Sequence, residues 1–146
     1  MSIGQRPDML TIEEQHAAIL SCCDDLLAAL RVIPTGYVGQ IRMRLAALLH
    51  ANLVTEEAQI IGPLRRLAIA DRPRLFTELS SEAANSRIRY SEHVGHWSPN
   101  VIAGNKVAYF QDAAELVVLV KLHLSRKRGV LADWRRMLAT INSSGH

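Results

Sequence analysis

Five of the six histidines in this 146-residue chain, His16, His50, His93, His96 and His123, are distributed one or two to each helical stretch. The neutral imidazole is a common ligand for iron, zinc and other transition metals. Helical bundles often hold such ions between facing helices with inward-pointing His and Glu. Metal binding is therefore the chemistry to look for, with Glu57 the acid weighed on the second helix. His93 and His96 stand at i, i+3 and can converge on one ion. His50 and Glu57 share a helix face but lie about 10.5 Å apart along the axis, too far to chelate one ion. Each histidine falls on or beside an apolar stripe, where a single imidazole usually just hydrogen-bonds. Recurrence across helices is what carries the signal.

Other chemistry is poorly supplied. Cys22 and Cys23 are adjacent, so on a helix they point about 100° apart and form no ordinary bridge; they read as small apolar core residues. The glycines are scattered and make no phosphate-binding loop. Nothing spells a Ser–His–acid or Cys–His pair, so no enzyme is expected.

The elements that must position the histidines are legible from periodicity. Thr11-Ile12-Glu13-Glu14 spells a capping box. Ile12, Ile19, Leu20, Cys23, Leu26, Leu27 and Leu30 follow at helical spacing with His16 on the same stripe. Pro34-Thr35-Gly36 marks a short connection. A second helix is expected from Gly36 or Tyr37 to about Leu67, bent or ended where Pro63 removes a hydrogen bond. A third should run from about Arg74 to Trp97, with Pro73 in its first turn. Ser98 caps a fourth that begins at Pro99, is interrupted near Gly104-Asn105, is weakened at Gly129, and continues toward a frayed tail at Asn142 to His146. Residues 1–10 are expected to be flexible. The reading is one domain, all-α, an antiparallel up-down four-helix bundle.

Composition agrees. Hydrophobic residues are 49% and charged residues 21%, enough for a core and against disorder; eight Gly and five Pro argue against a turn-rich β protein. The longest apolar block near the C-terminus, Leu116 to Val120, is far short of a membrane span. Arg6, Asp8, Glu13 and Glu14 interrupt any early apolar stretch, so no secretory leader is read and a cytoplasmic location is expected. The net charge of +3 is uneven. Over residues 1–30, Arg6 stands against Asp8, Glu13, Glu14, Asp24 and Asp25, a net of −4. Over 121–146, Lys121, Arg126, Lys127, Arg128, Arg135 and Arg136 stand against Asp133, a net of +5. An acidic first helix beside a basic last helix accounts for this better than nucleic-acid binding, because the basic end lacks aromatic interleaving and a DNA-binding motif.

From Glu13-Glu14-Gln15-His16 to Asp133-Trp134 the chain resembles the bacterial hemerythrin-like (HHE cation-binding) domain family. His16 matches the first-helix position. His50, Glu56-Glu57 and Gly62-Pro63-Leu64 resemble the second-helix segment, Tyr90, His93 and Trp97 the third, and His123 with Val130-Leu131 the fourth. The resemblance implies a non-haem iron site built from His16, His50, Glu57, His93 and His123, with oxygen or nitric oxide as the ligand sensed or carried. The family pattern also places an acid four residues after the second- and fourth-helix histidines. Four after His50 is Val54, and four after His123 is Lys127; counting back from Pro63 makes Glu57 the acid and puts Leu53 in the histidine's place. An ammonium at position 127 repels cations.

The di-iron site is accordingly read as eroded, and Glu57 and Lys127 as an ion pair where the metal would stand. The expected function is a non-catalytic regulatory or ligand- or protein-binding domain without a bound cofactor. The alternative is an iron-dependent sensor using a reduced ligand set. An unidentified protein partner or small ligand, or a homodimer, is the expected company, and Arg126-Lys127-Arg128 a natural contact surface.

Overall fold

The computed structural model describes residues 6–31 and 36–144, and these are helical with no strand among them. After a short 3-10 turn at Pro7–Met9 come α1 (Ile12–Leu30) and α2 (Gly36–Glu56). A π-helical turn (Glu57–Ile61) and α3 (Gly62–Arg65) extend α2. α4 (Phe76–His96), α5 (Pro99–Gly104) and α6 (Lys106–Ser144) complete the chain. The connection expected at Pro34-Thr35 lies outside the described residues, as do the first five residues and the last two. Among the described residues, no helix is long and apolar enough to cross a membrane.

The local signals act as expected at two ends. Thr11 Oγ1 accepts from the Glu14 amide at 3.1 Å, and Glu14 returns a carboxylate oxygen to the Thr11 amide at 2.9 Å. Ser98 caps α5, its hydroxyl oxygen accepting from the Val101 amide, and Pro99 is the first helical residue. Asn105 interrupts the helix between α5 and α6, within the expected Gly104-Asn105 break.

The third helix differs from its expected bounds. It starts at Phe76, not Arg74, because Leu75 takes a left-handed backbone (φ 68°) and Pro73 stays in the preceding loop. That conformation is costly for a residue with a branched side chain and is held from both sides. Arg72 braces the loop by donating to the carbonyls of Leu67 and Arg65. Phe76 then drops into the core against Trp134, ring centroids 5.7 Å apart.

The passage through Gly62-Pro63 also has a specific form. Pro63 offers no amide, and the helix continues through it to Arg65; the turn before it widens by one residue into the π-turn, closed by the Gly62 amide on the Glu57 carbonyl. A Cβ at position 62 would stand 2.6 Å from that carbonyl oxygen, closer than real contacts allow. Gly62→Ala should therefore lower stability by about 1–3 kcal/mol in chemical denaturation, the range for forcing atoms into a packed site. A neutral substitution would show that the turn opens freely.

Two apolar clusters fill the interior. One gathers Ile19, Cys22, Cys23 and Leu26 of α1, Ile41, Leu45 and Leu48 of α2, and Tyr109, Leu116, Val120 and Leu124 of α6, with Trp97 and Ile102. The other holds Ile12, Ile60, Leu64, Phe76, Leu79, Leu131 and Trp134. On α1 the two clusters are separated by Gln15 and His16; on α2 by Asn52, Thr55 and Glu56; on α6 His123 and Lys127 stand at the same boundary. All seven are buried. A polar layer thus lies between two apolar ones.

Along the flank, Glu13 of α1 pairs with Arg135 of α6 and Asp24 with Lys121, so the acidic first helix does lie beside the basic last one. The Asp24–Lys121 pair is solvent-exposed and contributes little to stability, whereas the two-pronged Glu13–Arg135 pair is half-buried and holds the Glu13 carboxyl down to about 2.

Candidate functional site

The polar layer is organised around Glu56. Its carboxylate accepts from His16 Nε2 at 2.6 Å and from Lys127 Nζ at 2.6 Å, so α1, α2 and α6 meet on one acid. His16 is fully buried, and Glu56 and Lys127 are under a tenth exposed. An ionised carboxylate only accepts hydrogen bonds, which puts the proton of His16 on Nε2. Beside this triad, Gln15 donates to Thr55 Oγ1 at 2.8 Å and to the Pro7 carbonyl at 3.0 Å, while Asn52 donates to the Gln15 side-chain oxygen at 3.1 Å. Burial works against the charge on Glu56. The His16 hydrogen bond and the Lys127 charge outweigh it and hold the carboxyl down to about 2.

At the same level α4 presents Glu82, which accepts from His123 Nδ1 at 2.7 Å and pairs with Arg126. A third histidine repeats the pattern closer to α5: His93 Nδ1 lies 2.7 Å from Asp112, which also accepts from Trp97 Nε1 and pairs with Arg89. His93 stacks on Tyr109 at 5.4 Å between centroids. Each of the three histidines is therefore held by a carboxylate, and each carboxylate is also met by a Lys or Arg. Burial disfavours the charged form of His123 and His93 and lowers both below the ordinary value; for His123 the Lys127 charge adds to this.

The five residues proposed from sequence separate accordingly. His16 and His123 belong to the central layer, where Lys127 and Glu56 both act on His123. His93 sits in its own cluster with Asp112. His50 is exposed. Glu57 faces outward in a bidentate pair with Arg65, at 2.8 and 3.0 Å. The pairing of Glu57 with Lys127 is thus corrected: the buried acid is Glu56. Ile41, Leu45, Leu48, Asn52 and Glu56 form the inner stripe of α2, whereas His50 and Glu57 share the outer one. The proposed basic contact surface is also revised, because Arg126 is paired with Glu82 and Lys127 is buried, leaving Arg128 facing solvent.

Glu56, Asn52, Gln15, Glu82 and Asp112 were not singled out by sequence reasoning. A signal for the first two existed: Asn52-x-x-x-Glu56 has the acid-after-four spacing, with Asn in the histidine's place. His123-x-x-x-Lys127 has the same spacing with Lys in the acid's place. Among the described residues, no group of three or more His, Cys, Asp and Glu side chains is arranged to hold a metal ion. His16 Nδ1 and His123 Nε2 are buried and have no hydrogen-bond partner among the described residues.

The cysteines are poor nucleophiles. The Cys22 thiol donates to the Ile41 carbonyl at 3.6 Å, and burial pushes the Cys23 thiol up to about 12. Outside the core, an open groove of about 630 Å³ runs along α4 past Glu78, Glu82 and Arg89 to Leu119 of α6.

The environments of these groups set a direction of pH dependence. The unfolded chain gains protons at His93 and His123 near their ordinary 6.5, and the folded chain resists, so stability falls as pH drops below about 7. Glu56 contributes stability that is complete above its ordinary 4.5 and lost as pH falls toward 2. Urea midpoints at pH 8, 6, 5 and 3 should decline throughout; a midpoint that rises between pH 7 and 5 contradicts the assignment.

No protein-family model matches the chain, and neither curated proteins nor solved structures supply a match.

Proposed function

We propose that the chain is a hemerythrin-like antiparallel four-helix bundle in which a buried Lys–Glu–His triad stands where the metal would be. Its role on this reading is that of a non-catalytic regulatory or binding domain. The observation that carries it is the Lys127 ammonium, 2.6 Å from the inward-facing acid of α2. The up-down topology is supported by the order of the clusters along the chain. α1 runs from the Phe76–Trp134 cluster to the Tyr109 cluster, α2 runs back, α4 leads from Leu79 toward His93, and α6 returns from Tyr109 to Trp134.

The donor set does not fit a pair of iron ions. Neighbouring ferrous or ferric ions need bridging carboxylates to offset their charge, and here the cation facing Glu56 is a side chain that repels them. With Glu56 as the inward acid, the residue four before it is Asn52 and not a histidine. His50 and Glu57 point away from the core. A non-enzymatic role is in keeping with the raised cysteine thiols.

A second reading, an iron-dependent sensor or carrier of oxygen or nitric oxide, draws on His16 Nδ1 and His123 Nε2, two buried ring nitrogens with no partner among the described residues. Loading with ferrous iron under anaerobic conditions, removal of excess and elemental analysis separate the two. The triad reading expects no retained iron and no charge-transfer absorption on exposure to air. About two ions per chain would sink it.

A further inference from the structure

Two donors in the cluster around Tyr109 are not matched by acceptors. Tyr109 is fully buried, and its hydroxyl has no hydrogen-bond partner among the described residues. The ring cannot swing to find one. His93 stacks on it at 5.4 Å, and Trp97 meets it edge-on at 5.3 Å between centroids. A buried hydroxyl held in this way calls for a water or an ion to accept from it.

The other donor is Arg42 of α2, which is half-buried. Its guanidinium lies 5.6 Å from the centre of the Tyr109 ring, and Nη2 donates to the Trp97 carbonyl at 2.6 Å. That bond fixes the group and uses one of its several N–H donors. Among the described residues no carboxylate pairs with Arg42. Asp112, the acid of this cluster, is taken up by Arg89, His93 and Trp97. Tyr90 of α4 adds a third donor, since its phenol feels the Arg42 charge and acts in turn on the Tyr109 phenol. Burial raises both phenols, that of Tyr109 to about 12, so both keep their protons.

We propose that Arg42, Tyr109 and Tyr90 form a binding site for a small monovalent anion. The three groups are donors with one positive charge between them, and an anion accepts from each. A water would bring hydrogens of its own that need acceptors in turn. One guanidinium balances one negative charge, whereas a phosphate or a dicarboxylate would leave charge unbalanced in a half-buried place. The site stands apart from the triad, because Tyr109 precedes His123 by 14 residues, about 21 Å along α6. It therefore adds a ligand to the binding-domain role without depending on the contact between Lys127 and Glu56.

The test is a titration with sodium chloride and with sodium formate at constant ionic strength, balanced by the bulkier methanesulfonate. It is followed by NMR at the indole Nε1–H of Trp97, with that of Trp134 as the internal control. The Trp97 signal should shift to saturation with one or both anions, half-complete in the millimolar range. Arg42→Gln and Tyr109→Phe should each weaken binding by at least about tenfold, the effect of losing a hydrogen bond to a charged group. In methanesulfonate alone, Tyr109→Phe should keep the wild-type urea midpoint, because the hydroxyl it removes has no protein partner. The binding anion should raise the midpoint of the wild type and leave that of Tyr109→Phe unchanged. Shifts that never saturate, or that Trp134 shares, overturn the proposal. So does saturation that survives Tyr109→Phe undiminished. A Tyr109→Phe midpoint well below the wild type without either anion would mean that the hydroxyl is completed by water, and overturns it as well.

Discussion

Lys127→Met should cost about 3–5 kcal/mol of folding stability, the typical penalty for leaving one partner of a buried ion pair behind. That is a large share of the roughly 5–15 kcal/mol that holds a domain together. The reason is local. Glu56 sits between two apolar clusters with Lys127 and His16 on its two oxygens. Without the ammonium it must either stay charged with one partner or take up a proton. In the second case its carboxyl moves up from about 2 and stability becomes strongly dependent on pH between neutrality and about pH 4. Glu56→Gln should destabilise by a similar amount, since it strands Lys127. The double variant Glu56→Gln/Lys127→Met should be clearly more stable than the sum of the two losses, because replacing both charges removes both desolvation penalties. Additive losses would mean that the two groups do not act as a pair. A near-neutral Lys127→Met would mean that the side chain reaches water along its flexible stem.

The second large effect is a gain. Asn52→His combined with Lys127→Asp restores a histidine–acid pair at spacing four on α2 and on α6. It turns the central layer into three imidazoles, those of His16 and His123 and the one introduced at position 52. They face the carboxylates of Glu56, Glu82 and the new acid at position 127. The ring nitrogens of His16 and His123 that lack a partner among the described residues would then face a cation. This variant should retain iron through gel filtration under conditions where the wild type retains none, and its melting temperature should rise on loading, because a ligand bound only by the folded state stabilises it. Lys127→Asp alone should not suffice, since it adds a carboxylate to a layer still lacking the second-helix ligand. Retention of iron by the wild type and the double variant alike would remove the reason for regarding Lys127 as the substitute cation.

The elements are readable from sequence because their causes are local. The capping box at Thr11 and Glu14, the Ser98-Pro99 start and the interruption at Asn105 each depend on residues within four positions of one another. Leu75 is not readable: nothing in a leucine signals a left-handed backbone, and it is the Arg72 brace and the burial of Phe76 that hold it there. The site is legible in part. Lys127 stands at the inward position its spacing from His123 implies, but its partner lies one residue earlier than the count from Pro63 places it. Counting back from Pro63 presumes a regular α-helix, and the π-turn at Glu57–Ile61 inserts one extra residue into that count. The inner acid is therefore Glu56. The carboxylates on His123 and His93 are beyond reach for a different reason. Glu82 is 41 residues from His123 and Asp112 is 19 from His93, and only the packing of α4 on α6 brings them together.

The central claim is that the cation facing Glu56 is the side chain of Lys127, and it can be observed directly. The chain has only three lysines, Lys106, Lys121 and Lys127. In protein labelled with 15N at lysine Nζ, exposed ammonium groups exchange too fast to be seen, whereas a buried, hydrogen-bonded one persists. A spectrum recorded with and without excess zinc, a diamagnetic stand-in for ferrous iron, should show one slowly exchanging ammonium, absent in Lys127→Met and unchanged by the metal. Loss of that resonance when zinc is added, or its absence from the start, would contradict the account.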